Sequence, residues 1–551
     1  MRTFWRSLAL VCLLANAPNA AAVAQSGRAA QSPRAEILWD RWGIPHVYAK
    51  DHESLVRAFG WAQAESHGDL LLRMYGQARG RAAEYWGERF LDSDRTVRTM
   101  GIPGRAREWY RAQSPAGRRR LDAFAAGINA YAAAHPDLIA DRVEAVLPVT
   151  GEDVLAHVQR VIHFTFLGDP TAVAERIQGP PAGSNAWAVA PSRSASGNAL
   201  LLANPHLPWS DVFTWYEAQL VGPGVDVYGA ALVGFPFVGI GFNDFLGWTH
   251  TVNTLDGADV YALTLAEGGY RWDGGVRPFE TRREVIRVRG SDGTQRDDTL
   301  MVRASVHGPV LGERDGNAFA YRVAGLDQPF MVDQYWEMAR ARNLKQFEGA
   351  VGRLQMPMFT VMYADRDGHV LHLFNGRVPV RSRGGWEHWQ GAVRGDTSAT
   401  LWTRTHAYAE LPRVLDPASG WLQNANDPPW TTTFPAPLRP DAFPEYMAPR
   451  GMEFRPQHSA KLVMADSSIS LEEMIAYKHS TRMELADRVL DDLLAAVRER
   501  GTPASREAAA VLERWDHATD AESRGGVLFL AWAQEMAQRS GGNGLFATGW
   551  D

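Results

Sequence analysis

The sequence predicts an α+β protein: a mainly helical N-terminal third, a strand-rich middle and a second helical region toward the C-terminus. Three observations carry that expectation. Apolar residues recur at helical spacing through residues 25–178, β-branched and alternating runs take over from residue 186, and the two regimes meet at a breaker-rich stretch, Gly179-Pro180-Pro181-Ala182-Gly183. The composition can supply a large core. Of 551 residues, 45% are hydrophobic and 22% charged, which excludes the disordered and fibrous classes. A net charge of -6 without a long like-charge block leaves no footprint for nucleic acid.

Taken in order, residues 1–24 read as a secretory signal. Arg2 and Arg6 precede an apolar run at 8–14, and Ala22-Val23-Ala24 forms the small-x-small pattern that a signal peptidase cuts. The run is much shorter than the ~20 residues a spanning helix needs, and no later stretch is long and uncharged enough, so no membrane anchor is expected. The mature chain is expected in a bacterial periplasm or outside the cell. The single cysteine, Cys12, leaves with the signal, which excludes disulfides, a thiolate nucleophile and cysteine-ligated zinc.

The expected mature N-terminal unit, 25–183, is helical apart from short strands at 37–39 and 46–49. Within 53–85, Leu55, Phe59, Ala62, Leu70, Leu71, Met74 and Ala78 fall at helical spacing, and a second amphipathic block runs from Arg118 through Leu121, Phe124, Ala125, Ile128 and Tyr131. In the larger unit, 184–551, the segments 186–190, 199–203, 225–233, 285–288 and 361–374 read as strands. Turns fall at Ser196-Gly197-Asn198 and Asp365-Arg366-Asp367-Gly368. Helical patterns return at 471–477, 486–497 and 526–536. The sequence stops at Gly549-Trp550-Asp551 without capping or tail-like composition, and a C-terminally incomplete chain is expected.

Most catalytic patterns are missing. There is no H-E-x-x-H, no G-x-S-x-G, no phosphate-binding loop, and the 16 histidines are scattered. What remains is Gly183-Ser184-Asn185-Ala186-Trp187-Ala188-Val189, where a flexible linker runs into an alternating strand. Glycine allows strained geometry at the preceding peptide, and the Ser184 hydroxyl can attack the Gly183 carbonyl. Cleavage there would give Ser184 a free α-amine, titrating near ~7.7, to serve as base for its own hydroxyl. The plain alternative is a Gly-Ser pair at an ordinary domain boundary. A rival of another class is a non-catalytic exported binding protein using some of the 20 tryptophans as stacking platforms, although core packing accounts for tryptophans equally well.

Four ordered motifs add a resemblance: Ser184-Asn185-Ala186-Trp187-Ala188-Val189-Ala190-Pro191, Leu200-Leu201-Leu202-Ala203-Asn204-Pro205-His206-Leu207, Trp248-Thr249-His250-Thr251-Val252, and Gln423-Asn424-Ala425-Asn426-Asp427-Pro428-Pro429-Trp430. From about Ala35 onward the chain resembles the penicillin acylase family of N-terminal-nucleophile hydrolases. The resemblance implies a four-layer αββα sandwich and hydrolysis of linear amides, with self-cleavage between Gly183 and Ser184 into two chains that stay together as a heterodimer. It makes Ser184 the nucleophile, Val252 (backbone N–H) and Asn426 (side-chain amide) the oxyanion donors, His206 a neighbour that positions the amine, and Arg455 a support for Asn426. It also implies a structural calcium on Asp256 and Asp259, with Glu175 as candidate third ligand, and no organic cofactor.

The acyl group is read from departures within this resemblance. Glutaryl and cephalosporin acylases hold a carboxylate with an arginine where this chain has Gly239, and with a tyrosine where it has Trp215. Leu207, Phe235, Phe237, Val238 and Phe359 are expected to line an apolar slot in which a carboxylate would be costly. The expected substrate is therefore a small N-acyl amide with an apolar acyl group, such as an acyl-homoserine lactone or a penicillin-type amide. A glutaryl or cephalosporin acylase is the alternative.

Overall fold

Two stacked sheets frame the computed structural model, which describes residues 34–171 and 183–539. The larger has nine strands, in the order Ala35–Trp39, Pro45–Ala49, Trp215–Gly222, Val225–Leu232, Ile240–Phe242, Leu246–Thr251, Thr360–Asp365, Val370–Leu373 and Arg413–Leu415. The smaller places Gly183–Val189 between Trp421–Asn424 and Leu200–His206, antiparallel to both. Alternation along the central strand decides how the sheets stack. Ala186 and Ala188 pack with Met362, Ala364, Val370 and Leu422 between the sheets, while Trp187 and Val189 turn outward to the helix Phe454–Ala465 through Ala460 and Val463. The buried Trp187 indole N–H is satisfied by Ser459 Oγ at 2.7 Å. Full burial of a side chain such as Val189 or Leu422 contributes about 1.5–3 kcal/mol.

On the far face of the large sheet lie the helices His52–Ala78, Pro115–Ala134 and Gly151–Val161, whose Leu55, Phe59 and Phe124 share one core with Tyr216 and Leu220. The first begins at Asp51, whose carboxylate accepts from the Ser54 N–H, and bends at His67. It meets the second at two glycines. A Cβ on Gly127 would lie 2.0 Å from the Arg57 carbonyl oxygen, and one on Gly60 2.2 Å from that of Phe124. The order is thus helix, sheet, sheet, helix, the expected αββα sandwich. The N-terminal hairpin joins the large sheet by parallel pairing of Pro45–Ala49 with Trp215–Gly222, so the segment before Ser184 is knitted into the sheet that follows it.

The helix expected at 53–85 ends at Ala78, because Gly80 takes a left-handed conformation and a short separate helix, Ala82–Trp86, follows. The run at 361–374 is two strands, split at the expected 365–368 turn. A third sheet of eight strands, built mostly from 258–323 around Tyr261, Leu263 and Tyr270, was foreshadowed only by 285–288. Among the described residues, no helix is long and apolar enough to cross a membrane. The signal segment and most of the linker fall outside the described residues.

Candidate active site

Ser184 is the second residue of its strand and only 2% exposed. Its backbone N–H donates to Asn426 Oδ1 at 2.6 Å, and its hydroxyl donates to the Gly183 carbonyl oxygen at 2.6 Å. The nucleophile candidate therefore sits against the carbonyl that precedes it. Gly183 is tightly enclosed: a Cβ there would lie 3.1 Å from both Asn426 Oδ1 and Arg455 Nη2.

Asn426 is held in a left-handed conformation at φ 66° on the turn after Trp421–Asn424, a conformation asparagine tolerates better than most residues. Its amide nitrogen donates to the Val252 carbonyl at 2.6 Å, while its oxygen receives Arg455 Nη2 at 2.6 Å as well as Ser184. Arg455, in the first turn of Phe454–Ala465, also donates through Nη1 to the Ser184 carbonyl at 2.7 Å and to Asn185 Oδ1 at 2.5 Å. Val252 is the residue after the strand Leu246–Thr251 and so lies one step beyond its last ladder pair with Thr360. Four of the expected residues, Ser184, Val252, Asn426 and Arg455, thus converge.

His206 is brought to the same end of the sheet by its register opposite Gly183. Although the residue is exposed at the strand end, partial desolvation of its ring, aided by the positive charges of Arg455 and Lys478, holds its pKa below the usual histidine value. The ring is accordingly neutral near pH 7.

Sequence reasoning assigned no role to the residues beneath Asn426. Asp427, 2% exposed, accepts from the Ala425 N–H at 2.7 Å, from Gln423 Nε2 at 2.7 Å and from the Thr431 hydroxyl. Burial raises its pKa to about 6. Asn424 Oδ1 receives the Thr251 hydroxyl at 2.5 Å and the Asn426 N–H at 3.1 Å, which ties the Val252 segment to the asparagine turn. These residues stand inside a quoted motif, but which of them point inward is set by the turn.

A narrow slot of about 50 Å³ opens from Ser184. Leu207, Trp215, Phe235, Phe237, Gly239 and Phe359 line it as expected, joined by Ile162, Phe166, Leu232, Ile240, Met356 and the pair His250 and Tyr335. No charged side chain is among them. Val238 is not in the lining; it packs toward Gly229 and Gly241 on the neighbouring strands. Phe359 adopts φ 82°, an unfavourable conformation for a bulky residue, and its ring meets Phe166 and His250. Strain of this kind persists where surrounding packing over-determines it.

The expected calcium ligands meet a different arrangement. Asp256 and Asp259 both lie 2.8 Å from one guanidinium nitrogen of Arg381, whose side chain is fully buried over Trp389, and the second Asp259 oxygen accepts from Trp402 Nε1 at 2.6 Å. Glu175 falls outside the described residues. Among the described residues, no group of three His, Cys, Asp or Glu side chains is placed to hold a metal ion. As arranged, the two aspartates share the Arg381 guanidinium.

Comparison with known proteins finds relatives over most of the chain. A family model described as penicillin amidase matches residues 34–548. The acyl-homoserine lactone acylase PvdQ of Pseudomonas putida is 28% identical over an alignment covering 90% of this chain and 72% of that protein. The aculeacin-A acylase of Actinoplanes utahensis is 26% identical, covering 89% and 73%. Among solved structures, the thermostable penicillin G acylase of Alcaligenes faecalis superposes with a TM-score of 0.54 at 23% identity, over 64% of each chain.

Proposed function

We propose, because the chain belongs to the penicillin amidase family, that it is an amidohydrolase which matures by self-cleavage before Ser184 and then hydrolyses N-acyl amides with an apolar acyl group. The observation that carries this reading is the placement of Ser184: its hydroxyl against the Gly183 carbonyl, its N–H on Asn426, and an uncharged slot beside it.

In maturation, Ser184 Oγ attacks the Gly183 carbonyl carbon, the C–N bond breaks, and the Oγ proton ends on the departing Ser184 nitrogen. Water hydrolyses the resulting ester, leaving a Gly183 carboxylate and a free Ser184 amine. The fragments 25–183 and 184–551 then remain together through the shared sheet and the helical layer packed upon it. In turnover, the amine takes the Oγ proton as Oγ attacks the substrate carbonyl, with neutral His206 nearby to accept from that amine. Asn426 Nδ2 and the Val252 N–H stabilise the oxyanion. The amine leaves protonated, and water releases the acyl group by the same path.

The relatives named as acyl-homoserine lactone and aculeacin acylases support small N-acyl amides as substrates. The absence of any charged side chain from the slot favours an apolar acyl group over a glutaryl one. The signal-like pattern of residues 1–24 favours export to the periplasm or medium.

Intact-mass analysis and N-terminal sequencing of the protein beside Ser184→Ala test the reading. Two fragments, one beginning at Ser184, with the variant uncut and inactive on decanoyl amides, are expected. An uncut wild-type chain that hydrolyses such amides would exclude the self-cleaving mechanism.

A further inference from the structure

Four of the residues lining the slot carry polar side-chain atoms: Ser184, Trp215, His250 and Tyr335. Three are already engaged. Ser184 is held as described, and the Tyr335 hydroxyl pairs with His250 Nε2 at 2.8 Å while His250 Nδ1 faces the Thr360 carbonyl at 3.3 Å. Trp215 differs. Its indole nitrogen is buried, yet no group among the described residues accepts its hydrogen.

Other tryptophans show that this fold normally satisfies such donors. Trp187 donates to Ser459, Trp248 to the Gly239 carbonyl and Trp402 to Asp259. Among the described residues, Trp215 is the one tryptophan whose buried indole nitrogen lacks a partner. It sits at the start of Trp215–Gly222, opposite Leu232, and its ring edge would lie 3.7 Å from a Cβ on Gly239. The indole thus packs beside Gly239 in the slot wall.

A buried donor left unsatisfied costs free energy, and that cost is removed by any ligand that brings an acceptor. We propose that Trp215 is a specificity-determining residue that selects acyl groups bearing an oxygen acceptor on the chain, of the β-keto-acyl or aryloxyacetyl class, over their hydrocarbon counterparts. An indole N–H only donates, so it favours a ketone or ether oxygen and gives nothing to a methylene. This inference rests on the amide-hydrolase reading of Ser184.

The test compares kcat/KM of the mature protein on two matched pairs of homoserine lactone amides: β-keto-octanoyl against octanoyl, and phenoxyacetyl against phenylpropanoyl. Within each pair the leaving group is the same and the size nearly so. At least one oxygen-bearing member is expected to be favoured roughly five- to tenfold. Trp215→Phe, which keeps an aromatic ring but removes the N–H, should bring that ratio to near unity. The ratio cancels whatever the substitution does to folding or to the fraction matured. Equal efficiencies in both pairs, or a preference that survives Trp215→Phe, would overturn this inference alone. Hydrolysis of none of the four would overturn the functional reading and this inference with it.

Discussion

The backbone N–H of Ser184 and the side-chain oxygen of Asn426 are hydrogen-bonded at 2.6 Å across 242 positions of sequence. The bond joins the strand that carries the nucleophile to the turn that carries the oxyanion donor. Replacing Asn426 by alanine should therefore slow both self-cleavage and turnover. Once rates are divided by the amount of mature Ser184 N-terminus, kcat should fall ~10²–10³-fold, as for other oxyanion donors. A loss of less than threefold would remove Asn426 from the chemistry.

Arg455 reaches Ser184, Asn185 and Asn426 at once through two nitrogens of a planar fork. Lysine keeps the charge but not the fork. Arg455→Lys should lower kcat about 10- to 100-fold with a smaller change in KM, since the loss falls on the placement of Asn426. A rise in KM at constant kcat would assign Arg455 to substrate binding instead.

Gly239 has no close neighbour on its Cβ side, the nearest atoms being the Ala230 carbonyl at 3.6 Å and Trp215 at 3.7 Å. A Cβ can be added there without moving backbone. Gly239→Arg should lower kcat/KM for decanoyl amides at least about tenfold and raise it for glutaryl amides, because a buried carboxylate then gains a charge-assisted partner. Unchanged selectivity would place the acyl group outside this slot.

The fully buried Arg381 guanidinium lies 2.8 Å from both Asp256 and Asp259, one positive charge against two carboxyl groups. Arg381→Met would leave two buried carboxylates without their cation and should destabilise the protein by about 3–5 kcal/mol. Thermal melts of the wild type with calcium or with chelator should coincide. A calcium-dependent rise in wild-type Tm would give the pair to the metal.

Three histidines, His157, His163 and His372, are completely buried, and burial pushes the pKa of each down to about 3. Their unfolded value is near ~6.5, so between pH 6.5 and 3 the unfolded chain binds more protons than the folded one. Their contribution is fully present above pH 6.5 and is lost as pH falls. Each histidine should remove up to ~1.4 kcal/mol of stability per pH unit over that window. Both ring nitrogens of His372 lack partners, so His372→Phe should flatten the slope by about one proton. Urea titrations of the uncut Ser184→Ala chain at pH 7, 6 and 5 measure it, and an unchanged slope would show that His372 does not titrate differently in the two states.

The residue order alone determined the helical pattern of the N-terminal third and strands such as 186–190, 199–203 and 225–233, the position of Ser184 after a glycine at the head of an alternating strand, and the apolar character of Leu207, Phe235, Phe237 and Phe359. These are local properties: spacing and side-chain type are written in the chain itself. Tertiary structure decided the rest. Val238 stands outside the slot lining because the loop before Ile240–Phe242 packs it against Gly229 and Gly241, while Ile162, Tyr335 and Met356 enter from helices and loops far away in sequence. Asp427 lies beneath Asn426 only because the turn at 424–427 folds its carboxylate inward onto three donors. The Asp256–Asp259 pair is met by Arg381, more than 120 residues onward. Each of these depends on which long-range elements pack together, and no periodicity in the chain records that choice.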